Sequence, residues 1–188
     1  MTEAVLERGI DHFGGSVAAF DRWADGLLES LRGNPVADRL FTTASHLGDF
    51  SLIWHILGLA RGLTTDERAN QAFVLAAFLG MESLVVNQGV KRVFRRTRPT
   101  PAGDDRYIIR RPSTSSFPSG HASAAFAAAS MLTSWDGKRS APLWFSLATV
   151  VGLSRAYVRI HHPSDVVAGA ALGLALAAGA KRILRALA

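Results

Sequence analysis

The 188-residue chain contains no cysteine, which excludes a disulfide framework, a thiolate metal site and a cysteine nucleophile. Its amino terminus lacks a basic stretch running into an uninterrupted apolar core, so no cleaved signal peptide is expected. No internal repeat and no low-complexity tract is found. Charge is scarce where apolar residues are dense: from Ala69 to Val90 the only formal charge is Glu82. What the chain does have is 48% hydrophobic residues and a mean hydropathy of +0.17, which exclude disorder. Its length fits one domain. A net charge of +6 would suit nucleic acid, anionic lipid or a phosphorylated substrate, and only the positions of the charges discriminate.

The first segment, residues 1–39, reads as an amphipathic helix. Leu6, Ile10, Phe13, Val17, Phe20, Ala24, Leu27 and Leu31 fall on one stripe opposite Glu7, Asp11, Asp21, Arg22, Asp25 and Glu29. That stripe fits a docked bundle helix, a coiled-coil seam or a helix lying on a membrane surface. Its charges keep it from spanning a bilayer, since each costs about 2.5 to 3.5 kcal/mol near the centre. After the break at Gly33-Asn34-Pro35 come five apolar segments: Leu47 to Leu63, Ala69 to Val90, Ser119 to Trp135, Ala141 to Ile160 and Val166 to Ala180. A span needs roughly 17 to 25 residues. The third and fifth are short and rich in small residues, which suits membrane helix packing, with Gly169, Ala170, Gly173 and Ala177 at helical spacing. Buried core helices of a soluble all-α protein fit the same hydropathy. The long irregular connection, Thr97 to Phe117, has the length of a functional loop.

Three clusters carry chemistry. Lys91, Arg92, Arg95, Arg96 and Arg98 close the second apolar segment, with Arg106, Arg110 and Arg111 in the loop. Alone, such a run fits a solvated face or a juxtamembrane anchor. Pro118-Ser119-Gly120-His121 opens the next helix, where unpaired N–H groups and the dipole favour an anion. Alone, it fits an ordinary helix start. In the third cluster, Ser154-Arg155 precede His161, and Asp165 lies four residues on, across a turn that Pro163 starts as a helix. A carboxylate there can fix the imidazole tautomer and stabilise its developing charge; alone, the pair also fits a helix-terminal hydrogen bond.

Taken in order, Lys91, six residues, Arg98-Pro99, eighteen residues, Pro118-Ser119-Gly120-His121, thirty-two residues, Ser154-Arg155, five residues, His161, three residues, Asp165, the pattern resembles the type 2 phosphatidic acid phosphatase superfamily. That superfamily also holds bacterial acid phosphatases and vanadium haloperoxidases. The resemblance covers Lys91 to Asp165, with family-like helical flanks from about Leu47 onward, and divides the chain into an amphipathic helix, 1–39, and a phosphatase domain, 40–188. It implies that His161 attacks phosphorus to form a phosphohistidine, that Asp165 orients His161, and that His121 protonates the leaving oxygen and then activates water. Lys91, Arg98, Ser119, Gly120 and Arg155 would hold the phosphoryl oxygens. Such a donor cage suits a transition state whose charge is spread over three oxygens, so no cofactor and no metal is expected.

The membrane branch is favoured by the run into Lys91 and by the small-residue last helix. The expected fold is thus an all-α transmembrane bundle of about five spans with an interfacial amino-terminal helix. Its partners would be the bilayer and a phosphorylated lipid, with no nucleic acid. Arg61, Arg68, Lys138, Arg139, Lys181, Arg182 and Arg185 fall opposite the site, so the positive-inside rule faces the site outward from the cell membrane. The extra loop arginines favour a diphosphate by charge. A soluble acid phosphatase of the same superfamily, a vanadate-dependent peroxidase and a non-catalytic helix bundle are the alternatives.

Overall fold

The structure, a computed structural model, describes residues 13–100, 106–110 and 114–187. Leu6, Glu7, Ile10, Asp11 and Arg111 lie outside the described residues. Those described form helices and connections with no strand. The helices are α1 (Gly15–Glu29), α2 (Pro35–Gly48), α3 (Leu52–Gly62), α4 (Asp66–Val93), α5 (Gly120–Asp136), α6 (Ala141–Tyr157) and α7 (Pro163–Leu187).

Starts and stops follow the local chemistry. Asn34 caps α2 by accepting from the Val36 and Ala37 N–H groups, ahead of Pro35 at the first helical position. Thr65 caps α4, whose first turn carries Asp66 and Glu67 toward the positive dipole end. The apolar segment from Leu47 to Leu63 is not one helix. A tight turn at Asp49–Ser51, with Phe50 and Ser51 at positive φ, separates α2 from α3. Helix α2 also runs straight through residue 39, so the chain has no structural break there.

Two helices, α4 and α7, are long and apolar enough to cross a membrane. Length and composition thus mark two of the about five expected spans. At 17 residues each, α5 and α6 rise only about 26 Å, and α3 is shorter still.

Helix α5 is the axis of the bundle. Ala122 to Ala125 and Ala127 to Leu132 are buried, and α4, α6 and α7 pack around it. Its small side chains let α7 approach to backbone contact. A Cβ built on Gly169 or Gly173 would overlap the carbonyl oxygens of Ser119 and Ser123, so these glycines set how close the two helices lie. Gly173→Ala is expected to cost about 1–3 kcal/mol by overpacking. Gly179→Ala, where nothing lies within 4 Å, should be neutral or stabilising by up to about 1 kcal/mol. Thermal unfolding of the two purified variants in detergent checks the contrast.

Helix α1 sits on α6 and α7 with a mixed inward face: Ala18 and Asp21 are buried and Val17, Ala24, Asp25 and Leu28 half-buried, whereas Phe20, Leu27 and Leu31 of the apolar stripe and Arg22 and Glu29 of the polar one are exposed. The inward acids have an electrostatic cause. Arg32 joins Asp25 and Glu29 at 2.5 and 2.6 Å and donates to the carbonyls of Tyr157 and Ala156 at 2.8 and 3.0 Å. It thereby satisfies the open end of α6. Arg159 reaches Glu29 at 2.7 Å.

Candidate active site

The carboxyl end of α4, the amino ends of α5 and α7 and the carboxyl end of α6 meet at one end of the bundle, around a cleft of about 270 Å³. The last turns of α4 are π-helical, Val85–Val90, a form frequent at functional sites. They bring Lys91 to α5, where a Cβ on Gly120 would lie 3.8 Å from Lys91 Nζ. Lys91, Gly120, His121, Arg155 and His161 all line the cleft. Three segments far apart in the chain are thus gathered at one place.

His161 has polar neighbours at both ring nitrogens. Its Nδ1 lies 3.5 Å from Ser116 Oγ and 3.6 Å from Asp165 Oδ2, and its Nε2 lies 3.3 Å from Arg98 Nη1. The backbone fixes the turn: the N–H groups of Ile160 and His161 both donate to the Arg155 carbonyl, and Arg159 takes a left-handed φ of 54°. Asp165 is fully buried. It accepts from Ser116 Oγ at 2.5 Å, the His162 N–H at 2.9 Å and Arg96 Nη1 at 2.6 Å. Burial pushes the His161 imidazole well below its ordinary range; Asp165 pulls it back up, while Arg98 and Lys91 lower it further. The ring is neutral at pH 7.

The cleft gathers the cations Lys91, Arg110 and Arg155, with Glu82 as the one carboxylate among its described lining residues. Arg155 is 1% exposed; its Nη1 donates to Ser45 Oγ, while Nε and Nη2 are buried with no hydrogen-bond partner among the described residues. Such orphaned donors are costly unless an anion meets them. Burial lowers the Arg98 guanidinium to about 10, with Asp165 opposing, so it stays charged at neutral pH. Arg98 anchors the loop through the carbonyls of Ile160 and Thr114, at 2.9 Å each. Ser119 does not line the cleft. Its hydroxyl caps α5 by accepting from the Ala122 N–H, and its own N–H donates to the Asp165 carbonyl. His121 Nε2 donates to Asp49 Oδ1 at 3.1 Å and lies 3.3 Å from the Ser45 carbonyl. A Cβ on Gly48 would stand 2.5 Å from the His121 ring, so a bare glycine is what admits the imidazole. Against burial, which would raise it, His121 and the cations Arg155 and Arg110 hold the Asp49 carboxyl below its ordinary range.

Sequence reasoning did not find Ser45, Gly48, Asp49 or Ser116. None carries a motif, and each matters only through a partner distant in the chain. Arg96, part of a run that alone fits a solvated face, instead lies 3% exposed between the carboxylates of Asp21 and Asp165. Of the other loop arginines, Arg110 lines the cleft and stands 4.4 Å over the Phe50 ring, Arg106 lies 3.8 Å from Glu29, and Arg95 is exposed. Glu82 accepts from the Ser123 hydroxyl. His162 lies 3.2 Å from the Thr97 carbonyl. Among the described residues, no three His, Asp or Glu side chains gather as metal ligands.

Among the described residues the fold is all-helical, with a cation-rich cleft at one end of the bundle. Residues 71–187 match the family model of the PAP2 superfamily, and the chain belongs to that superfamily. It is 35% identical to decaprenylphosphoryl-5-phosphoribose phosphatase of Mycolicibacterium smegmatis, over 74% of this chain and 75% of that one. It is likewise 35% identical to the Mycobacterium tuberculosis H37Rv protein of the same name, over 81% and 78%. The fold resembles a transmembrane PAP2-type phosphatidylglycerolphosphate phosphatase from Bacillus subtilis, with TM-score 0.71, 24% identity and coverage of 98% and 93%. It also resembles LpxE of Aquifex aeolicus, with TM-score 0.64, 24% identity and coverage of 85% and 93%.

Proposed function

We propose that the protein is a metal-independent membrane phosphatase that removes a terminal phosphate from a polyprenyl-phosphosugar by way of a phosphohistidine on His161. The observation that carries this reading is the pair of buried, unpartnered Arg155 nitrogens beside a neutral His161. An anion is the natural complement of such a pocket. Nε2 of His161 attacks phosphorus, and the P–O bond to the sugar breaks as His121 donates a proton to the leaving oxygen. Water, deprotonated by His121, then cleaves the P–N bond and frees phosphate. Lys91, Arg98, Arg155 and the Gly120 N–H bear the charge on the three oxygens. Ser119 acts by setting the first turn of α5. The sugar-phosphate substrate is favoured by the relatives' names.

Phosphate release from a panel of purified lipid phosphates in detergent tests the reading. A polyprenyl-phosphosugar phosphate should outrun phosphatidic acid and diphosphates, EDTA should have no effect, and vanadate should inhibit. Activity lost to EDTA and restored by zinc or magnesium would overturn the metal-free mechanism.

The bilayer reading fits the exposed apolar stripe of α1, which suits a helix lying in the lipid interface. Because α4 to α7 alternate in direction, every site element falls at one end of the bundle, and the seven cations at the other end favour a site that faces outward from the cell. Single cysteines at Ser16, Thr114 and Ser140 test this in intact cells stripped of any outer envelope. An impermeant thiol reagent should label Ser16→Cys and Thr114→Cys and spare Ser140→Cys; the reverse pattern would turn the site toward the cytoplasm.

A further inference from the structure

Resting on the reading of His161 as nucleophile, the geometry points to Asp21 and Arg96 as positioning residues that hold Asp165, and through it His161, in the attacking geometry. Helix α1 lies outside the matched family region, residues 71–187, yet it reaches the site through one buried chain of contacts. Asp21 Oδ2 accepts from Arg96 Nη2 at 2.7 Å, and Arg96 Nη1 donates to Asp165 Oδ1 at 2.6 Å. The side chains of Arg96, Asp21 and Asp165 are 0%, 3% and 0% exposed. Asp21 also holds the first turn of α7 directly, accepting from the Ser164 N–H at 2.7 Å and the Ser164 hydroxyl at 2.8 Å. The Arg96 guanidinium reaches that hydroxyl at 2.7 Å.

The consequence lies in how Asp165 is divided. Its Oδ2 already serves Ser116 and the His162 N–H, and His161 Nδ1 stands 3.6 Å away, just beyond hydrogen-bond length. A small rotation of the carboxylate decides whether the imidazole is gripped or released. The grip on Oδ1 comes from Arg96, whose planar fork joins the two carboxylates at fixed angles. Asp21 in turn keeps the guanidinium from swinging toward Asp165 alone. Neither Asp21 nor Arg96 lines the cleft, so their loss should slow the attack rather than weaken substrate binding.

The experiment combines steady-state kinetics with single-turnover phosphohistidine labelling on full-length wild type, Asp21→Asn, Arg96→Lys and Arg96→Ala. Misplacing a reacting group by a fraction of an ångström to 1 Å costs up to about 10²-fold. We expect kcat and the labelling rate to fall together, by about 10-fold in Asp21→Asn and about 10²-fold in Arg96→Lys, with KM within about twofold. Added guanidinium, but not methylammonium, should restore part of the rate in Arg96→Ala, which a purely structural loss would not allow. Folded variants with wild-type kcat, or with raised KM and normal kcat, would overturn the proposal. If Arg96→Ala does not fold, the near-isosteric Asp21→Asn decides; failure of that variant to fold as well would make the chain of contacts a structural lock and also overturn the proposal. Wild type that takes no label on His161 defeats the nucleophile reading and this inference with it. Labelled wild type with unaffected variants defeats the inference alone.

Discussion

Replacing His161 by alanine is expected to abolish formation of an acid-labile phosphoenzyme and to lower kcat on the order of 10⁴-fold or more, as losing the nucleophile of a covalent mechanism does. The ring is buried at the cleft rather than in the apolar core, so the variant should fold and elute from size exclusion as wild type does. Label from a radioactive phosphoryl donor should appear on wild type and vanish in His161→Ala; label that persists would move the nucleophile elsewhere. The same label reads the protonation state. Because the His161 imidazole is held well below its ordinary range, it stays neutral as pH falls through the ordinary histidine value of about 6.5. The labelling rate, corrected for substrate ionisation, should show no loss with a midpoint there. The sign for stability is opposite: unfolded chains take up a proton on this histidine below about pH 6.5 that the fold refuses, so acidification destabilises the fold.

The second large effect belongs to Arg155. Its Nε and Nη2, without a partner among the described residues and on a side chain that is 1% exposed, are donors placed to gain strength as charge builds on the phosphoryl oxygens. Arg155→Ala should lower kcat by about 10²–10³-fold, the loss of about 2.7–4 kcal/mol of transition-state stabilisation. Arg155→Lys, which keeps the charge and loses the fork, should lie between alanine and wild type. Pre-steady-state rates on protein whose unfolding temperature is unchanged would check both. Equal, wild-type rates in the two variants would remove Arg155 from the cage.

The membrane-suited helices and the order of the site were legible along the chain because each depends on neighbours in sequence. Apolar runs mark α4 and α7, Ser119 and Pro163 mark the first turns of α5 and α7, and the spacing from Lys91 to Asp165 carries the family. Gly169 and Gly173 announced a close helix contact by their spacing alone. The apolar stripe of α1 was legible too, but periodicity says only that a helix has two faces, not which of them meets protein. Tertiary structure decided that Asp21 is buried and Asp25 half-buried while Phe20, Leu27 and Leu31 stay exposed, because the cations of Arg32 and Arg96 meet these acids there. It also decided that Leu47 to Leu63 breaks at Asp49, so that Asp49 reaches His121 and Ser45 reaches Arg155, 110 residues away. Two serines, a glycine and an aspartate, Ser45, Ser116, Gly48 and Asp49, carry no signal of their own; their roles arise only when residues distant in the chain are brought into contact and the water around them is removed.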